Sequence, residues 1–278
     1  MLPITAVVCT LNSFSSIEKC IVGLRHSGVA EIIVVDGGST DGTVEFLLEQ
    51  NCVVLFDTGI GLGAARNMGI IKASENYILN CGSDNIVSRE LLEIMLQAFS
   101  LDNFTECVGC RTRIEVKNLL QKMLNIQWSG RITPGVREVI GTPSIFRTKV
   151  LQEYLYSNHR SWSDDEELCT RIKTTQNCTF RIIDGYCIEV GQDNFERLKY
   201  RYLGYGNSDY EVWRAYSKNW STSRKLKSIR HPFESEFYNI IRNVPPISKI
   251  VVLPLLVFST TYRYLGWIKA VAKNLLQG

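Results

Sequence analysis

Residues Glu31–Thr43 read EIIVVDGGSTDGT. Ile32 to Val35 form an unbroken apolar run, the pattern of a strand buried on both faces, as in a parallel sheet. The run ends on a carboxylate, Asp36, and passes into a loop holding Gly37, Gly38 and Gly42 before Thr43 opens a helix to about Gln50. Asp36 can accept a hydrogen bond from a nucleobase N–H, and the first two glycines let the backbone approach a ligand closely. Asp41 is placed to cap the following helix. Upstream, TAVVCT (Thr5–Thr10) is a second buried run, ending in Thr10-Leu11-Asn12. Ser15 and Glu18 have the spacing of a capping box, and Ile17, Cys20, Ile21 and Leu24 follow at helical intervals. Downstream, CVVLF reads as a third strand and Gly59–Gly63 as a glycine-rich turn into a helix. NYILNC is a fourth strand, and Ser88 caps a helix through Phe99. Strands alternating with helices predict a mostly parallel sheet covered on both faces. In such sheets ligands sit beyond the carboxyl ends of the strands. The chemistry is therefore expected at Thr10–Asn12, Asp36–Thr43 and Gly82–Asn85.

The 278 residues are 45% hydrophobic and 21% charged, which excludes a disordered tail and a disulfide-stapled miniprotein. The nine cysteines are an odd number, several inside apolar runs, and read as buried small hydrophobes in a reducing compartment. Cys107-x-x-Cys110 lacks the second pair that a zinc site needs and reads as two strand residues. Met1 leads straight into a strand-like run without a basic leader, which predicts a cytoplasmic chain. The net charge of +3 argues against a nucleic-acid binder, but its distribution is uneven. Met1–Asn194 carries 17 Lys and Arg against 23 Asp and Glu, and Phe195–Gly278 carries 14 against 5. An acidic body with a basic, aromatic tail predicts an anionic partner for the tail.

Beyond Cys107 the pattern loosens. CVGCRTRIEV reads as a strand, Lys117–Trp128 as a helix, Ser129–Gly135 as a mobile loop and VIGTPSIFR as a strand. Asp164-Asp165-Glu166-Glu167 starts a helix, where acidic residues suit the positive end of the dipole, and CTFRIIDGYCIEV closes the sheet. Ile250–Tyr262 is uncharged but only 13 residues long and is interrupted by Pro254, short of the ~20 residues a span requires. It reads as an in-plane membrane helix, with Tyr262, Arg263, Tyr264, Trp267 and Lys269 at headgroup level. The alternative is a hairpin packed on its own domain or on a second subunit, so a homo-oligomer stays open. The expected division is 1–110, a nucleotide-binding α/β half; 111–194, an acceptor half; and 195–278, a helical membrane-associated or oligomerisation tail.

Gly59-x-Gly61-x-x-Ala64 matches the dinucleotide fingerprint, which keeps a nicotinamide-dependent oxidoreductase as an alternative. The fingerprint normally follows the first strand of its unit, whereas this one follows the third.

The strand ending in Thr10-Leu11-Asn12, the DGGSTDGT loop, the Ala65-Arg66-Asn67-x-Gly69 segment and the acidic SDDEELCTR stretch together resemble the family 2 glycosyltransferases, over Ile4–Ile86 and again around Ser163–Arg171. The resemblance implies a GT-A fold, a Rossmann-like mostly parallel sheet sandwiched by helices. It implies inverting transfer from a nucleotide-diphosphate sugar, with a UDP-sugar as expected donor. Thr10, Asn12, Asp36, Gly38, Ser39, Arg66, Ser83 and Asp84 fall on its nucleotide-sugar positions. The family's D-x-D becomes Gly82-Ser83-Asp84, leaving Asp84 as the ligand for Mg²⁺ or Mn²⁺, and the family's later His has no counterpart between Cys187 and Asn194. Asp165 falls on the general base, and four adjacent carboxylates raise one another's pKa. Asp164 and Arg201 are weaker acceptor or diphosphate candidates. The expected acceptor is a glycan or polyprenyl-linked lipid at the cytoplasmic face of a membrane. The departures also leave open a sugar-nucleotide or partner-binding protein that has lost catalysis.

Overall fold

The structure, a computed structural model, describes residues 1–57, 59–158, 164–191 and 194–277. They form two compact units, Met1–Arg113 with Thr133–Gly191, and Ile114–Ile132 with Gln192–Gly278.

The first unit begins with β1 (Leu2–Thr10), α1 (Phe14–Ser27), β2 (Val29–Asp36), α2 (Thr43–Glu49), β3 (Val53–Phe56), α3 (Leu62–Lys72) and β4 (Tyr77–Gly82). These four strands are mutually parallel: Thr10 pairs with Asp36, Cys9 with Gly82 and Asp36 with Phe56. β5 (Asn85–Ile86), α4 (Arg89–Ala98) and β6 (Thr105–Ile114) follow. After α5 (Leu119–Arg131), which belongs to the second unit, come β7 (Gly135–Arg137), β8 (Ser144–Arg147), α6 (Thr148–Tyr154), α7 (Asp164–Thr175) and β9 (Thr179–Glu189). Among the described residues the sheet has nine strands, ordered β3-β2-β1-β4-β8-β6-β9-β5 with β7 beside β9, and β8 runs antiparallel to both β4 and β6. The strand–helix alternation predicts the parallel half, β3-β2-β1-β4; beyond β4 the pairings of β8 with β4 and β6 and of β9 with β5 and β7 are antiparallel, so the α/β sheet is mixed and not mostly parallel.

Each side of the sheet follows from strand periodicity. Ile4, Ala6 and Val8 of β1, with Leu79 and Cys81 of β4, bury against Ile17, Cys20, Ile21 and Leu24 of α1 and Leu91, Leu92 and Met95 of α4. On the other side, Gly69 of α3 lies so close to β1 that a Cβ there would sit 2.5 Å from Val7 Cγ1. Gly63 is pressed in the same way against the Ser157 carbonyl, and Gly61 precedes α3 at φ 151°. Of the dinucleotide-like pattern, Gly61 is thus the start of a helix, while the close packing contacts belong to Gly63 and Gly69, neither of which is one of its small residues. The nine cysteines are unpaired, and Cys107 and Cys110 are buried strand residues.

Several local expectations change. Ser15 and Glu18 lie inside α1, whose first free N–H groups are instead satisfied from the Asp36–Thr43 loop. Ser129–Arg131 continues α5, because Trp128, Ile126 and their neighbours pack into the helical unit. VIGTPSIFR supplies only β8, since Pro143 has no N–H to extend the ladder.

The second unit joins α5 to α8 (Phe195–Tyr216), α9 (Thr222–Phe233), a π-helical turn at Glu234–Tyr238, α10 (Asn239–Asn243) and α11 (Pro246–Gln277). Pro254 does not interrupt α11. The helix loses one backbone bond there and continues, because Val252, Leu255 and Leu256 are buried in its core. Pro246–Leu276 is long and apolar enough to cross a membrane. Arg263 is not a headgroup anchor: it is buried, forms a bidentate pair with Asp209 at 2.7 and 2.9 Å, and reaches Glu236 at 2.6 Å. Trp267 packs edge-on to Tyr210 and Trp213. Gly206 lies against the Arg263 backbone carbonyl, and Gly266 against that of Leu203, so α8 and α11 cross in backbone contact. Gly206→Ala is expected to lower the stability of the whole chain by about 1–3 kcal/mol, read from the urea midpoint, because neither backbone can yield to a methyl group.

Candidate active site

The loops after β1 and β2 are stitched together by their own side chains. Asp36 is fully buried; its Oδ1 accepts from the backbone N–H groups of Gly38 and Ser39 at 2.9 and 2.8 Å, and its Oδ2 accepts from the Ser39 hydroxyl at 2.5 Å. Ser39 Oγ in turn accepts from the Asn12 N–H at 2.8 Å, and Asn12 Oδ1 accepts from Thr40 N–H at 2.9 Å. Gly38 has φ 91° with open space around it, so the turn needs glycine for backbone freedom. Asp41 caps two helices: one oxygen accepts from Phe14 N–H of α1, the other from the N–H and hydroxyl of Thr43 at the start of α2. These bonds hold the Asp41 carboxyl below the usual carboxylate range. Among the described residues Thr10 Oγ1, at the edge of the sheet, is buried with no hydrogen-bond partner. Thr10, Asn12, Asp36, Gly38 and Ser39 therefore form one connected edge.

β4 brings the next group alongside. Gly82 pairs with Cys9, and Ser83 Oγ donates to Ser13 Oγ at 3.1 Å, joining the Gly82–Asp84 turn to the Asn12 loop. The Gly82 N–H donates to Asn85 Oδ1 at 2.9 Å. A Cβ on Gly82 would meet Asp84 Oδ1 at 2.7 Å and Asn85 Oδ1 at 3.0 Å. The space beside the strand end is thus filled by the Asp84 and Asn85 side chains. No group of three His, Cys, Asp or Glu converges among the described residues, so the fold offers no protein-only metal cage. One carboxylate at this edge suits a Mg²⁺ or Mn²⁺ ion that takes its remaining ligands from a diphosphate and water, as such ions commonly do.

The acidic start of α7 is tied to the same sheet. Arg66 of α3 donates through Nη1 to Asp164 Oδ2 and, at 3.2 Å, to Asp165 Oδ1. Its guanidinium lies 4.9 Å from the centre of the Tyr156 ring. The Tyr156 hydroxyl donates to Asp165 Oδ1 at 3.2 Å and accepts from Asn80 Nδ2 of β4 at 2.9 Å. Asn67, next to Arg66, grips the Tyr156 backbone at both its N–H and carbonyl, each at 2.8 Å. Asp164 is buried, and its other oxygen accepts the N–H of Asp165. Asp165 remains 25% exposed. Burial pushes its carboxyl up to about 6, opposed by Arg66 and aided by Asp164. The rise expected from four adjacent carboxylates thus has a different leading cause: Glu167 is paired with Arg171 at 2.9 Å, and desolvation dominates. Trp162 and Ser163, at the head of the acidic motif, lie outside the described residues, and Arg201 lies on α8 in the second unit.

Tyr156 and Asn80 were not singled out by sequence reasoning, and Asn67 entered it only as part of the Ala65–Gly69 segment. Their bonds join positions 76 to 89 residues apart, which no local spacing reveals. The one available signal was Asn67 itself, a polar residue buried in the apolar face of α3.

Residues 5–155, more than half of the chain, match the family model for glycosyl transferase family 2. The chain belongs to that family. Its fold is GT-A: the mannosyltransferase PcManGT from Pyrobaculum calidifontis, solved with GDP-Man and Mn²⁺, superposes with a TM-score of 0.61 at 16% identity over 98% of this chain and 87% of that one. S. aureus TarS 1–349 with UDP-GlcNAc gives a TM-score of 0.54 at 15% identity over 95% and 89%. Among curated relatives, the lipopolysaccharide core biosynthesis glycosyltransferase LpsC of Rhizobium meliloti is 27% identical over 115 residues, 40% of this chain and 41% of that protein. The poly-β-1,6-N-acetyl-D-glucosamine synthase of Staphylococcus aureus is 28% identical over 138 residues, 46% and 33%. Each of these curated matches spans less than half of the relative. Family membership displaces the oxidoreductase alternative.

A buried carboxyl with a raised pKa, such as Asp165, carries a stability penalty. Between the unfolded carboxylate value and about 6 the native state holds a proton that the unfolded state has lost, so this group's contribution to stability falls as pH rises through that window. Asp165→Asn is expected to raise the melting temperature at pH 7, by at most about 3 kcal/mol in free energy, with the advantage fading towards pH 4. Melting curves of both proteins across that range check it.

Proposed function

We propose that the protein is an inverting glycosyltransferase that moves a sugar from a nucleotide-diphosphate donor, a UDP-sugar, to a hydroxyl or lipid-phosphate acceptor in glycan synthesis. One observation carries the reading: Asp165, a partly exposed carboxylate poised near neutrality, is bonded through Tyr156 to the same β4 whose end carries Ser83 and Asp84. In this reading residues 1–110 hold the donor and residues 111–194 the acceptor. Thr10, Asn12, Asp36, Gly38 and Ser39 shape the nucleoside edge, and Thr10 Oγ1 supplies an unused hydroxyl there. Arg66 and Asp164 keep Asp165 in place. Asp165 takes the acceptor proton as the acceptor oxygen attacks the anomeric carbon. Asp84 would hold a divalent cation, which neutralises charge on the leaving diphosphate. The UDP complexes of TarS support the base of the donor, and the Mn²⁺ in the mannosyltransferase complex supports the cation.

The second unit supplies membrane contact. Ile247 and Ile250 of α11 are 82% and 79% exposed, and Leu253, Val257 and Ile268 continue the exposed apolar stripe. α9 adds Arg224, Lys225, Lys227 and Arg230. Apolar surface beside Lys and Arg is the composition of an in-plane membrane helix that meets anionic lipid. In this reading the acceptor sits at the cytoplasmic face of a membrane.

Screening nucleotide sugars for hydrolysis with Mg²⁺ or Mn²⁺ is expected to reveal turnover of a UDP-sugar. It should fall by about a hundredfold or more in Asp84→Ala. Below pH ~6 the rate should drop about tenfold per unit, as Asp165 becomes protonated. Turnover of no nucleotide sugar would favour a binding protein that has lost catalysis. Separately, the full-length chain is expected to sediment with phosphatidylglycerol vesicles at low salt and to leave them at high salt. Protein that stays in the supernatant at low salt removes the membrane reading.

A further inference from the structure

The two oxygens of Asp165 have different surroundings. Oδ1 takes the Tyr156 hydroxyl and the Arg66 guanidinium, both at 3.2 Å. Among the described residues Oδ2 has no such bond, and a Cβ added at Gly141 would stand 3.4 Å from it. Gly141 is exposed and outside the left-handed region, so its backbone accepts any side chain without strain. Its position is fixed by its neighbour: Ile140 is buried, and its carbonyl accepts from the Cys169 thiol at 3.8 Å. On the other side, Tyr156 cannot turn away. Its backbone is gripped by Asn67, its hydroxyl is held by Asn80, and its ring lies under Arg66.

We propose that Tyr156 is the positioning residue of the general base, locking Asp165 so that Oδ2, the oxygen turned towards Gly141, is the atom that takes the acceptor proton, and that the missing side chain at Gly141 is the opening through which the acceptor reaches it. This rests on the glycosyltransferase reading above. The step balances simply. The acceptor O–H proton passes to Oδ2, the acceptor oxygen bonds to the anomeric carbon, and the bond from that carbon to the diphosphate breaks with its electron pair leaving on the nucleotide. Tyr156 stays protonated throughout, since burial pushes its phenol well above the usual range. The charged and titratable groups around Asp165 are Arg66 of α3, Asp164 and Cys169 of α7, Cys107 of β6 and Tyr156. Of these, Tyr156 and Arg66 favour the ionised base.

Two variants test the two halves. Tyr156→Phe removes one bond to the ionised carboxylate, so the acidic limb of the rate–pH profile is expected to move to higher pH, with kcat down on the order of tenfold and donor KM unchanged. Gly141→Val is expected to abolish transfer to the acceptor while hydrolysis of the donor continues, because water still reaches Oδ2 and a glycosyl acceptor does not. Nucleotide-induced thermal shifts equal to wild type in both variants show that the donor edge is intact. An unmoved pH limb in Tyr156→Phe overturns the positioning role, and wild-type transfer by Gly141→Val overturns the assignment of Oδ2. If the wild type itself turns over no nucleotide sugar, the glycosyltransferase reading fails and takes this one with it, an outcome distinct from either variant result.

Discussion

The Arg66 guanidinium is the charge around which the catalytic unit is arranged. It is almost wholly buried, between Asp164 and Asp165 on one side and the ring of Tyr156 on the other. Burying an arginine alone is prohibitively unfavourable, so its place under the sheet edge demands carboxylates, and the acidic start of α7 supplies them. Because Arg66 sits on α3 and Asn67 beside it holds the Tyr156 backbone, one turn of α3 fixes both the charge and the hydroxyl that meet Asp165. The same ion pair is not strong enough to cancel desolvation, and the net result is a carboxyl poised to accept a proton near neutral pH. A structural pair and a chemical group are thus made from the same three side chains.

The parallel strands explain why the other candidate positions lie where they do. β2, β1 and β4 end in register, Asp36 beside Thr10 and Gly82 beside Cys9, so three chain segments more than twenty residues apart emerge at one edge. Asp36 then folds its own loop by accepting from Gly38 and Ser39, and Asp41 binds the starts of two helices at once. Much of the recognisable DGGSTDGT motif is consumed in building the loop. What it leaves open is the space beside Gly38, at φ 91°.

The helical unit solves a different problem. α11 is apolar enough to enter lipid, yet it carries Arg263 in its middle. Asp209 of α8 and Glu236 neutralise that arginine, Arg131 joins Glu236 at 3.0 Å, and Gly206 and Gly266 let the two helices close until their backbones touch. The cost of burying charge is offset inside the bundle, which leaves the opposite face of α11 free to present Ile247, Ile250 and Val257. An arginine that reads as a lipid anchor in the one-dimensional pattern is, in three dimensions, the pin between helices.

The alternation of apolar runs with helical spacings determined the sheet, its parallel half and the edge at which function gathers, because strand and helix periodicities are local and each run here is long enough to show its own. Asp165 was legible for a similar reason: four acidic residues at a helix start form a contiguous pattern. The apparent break at Pro254 and the anchor role of Arg263 went astray where burial against distant segments outweighed local preference, and VIGTPSIFR was read too long because Pro143 has no N–H for the ladder. Only the tertiary structure decided that Tyr156, held by Asn80, bonds Asp165, and that Gly82 leaves room for Asp84 and Asn85. Those facts depend on which buried polar atoms find one another across dozens of residues, and hydrogen-bond satisfaction in a core is a property of the folded assembly, not of any window of the chain.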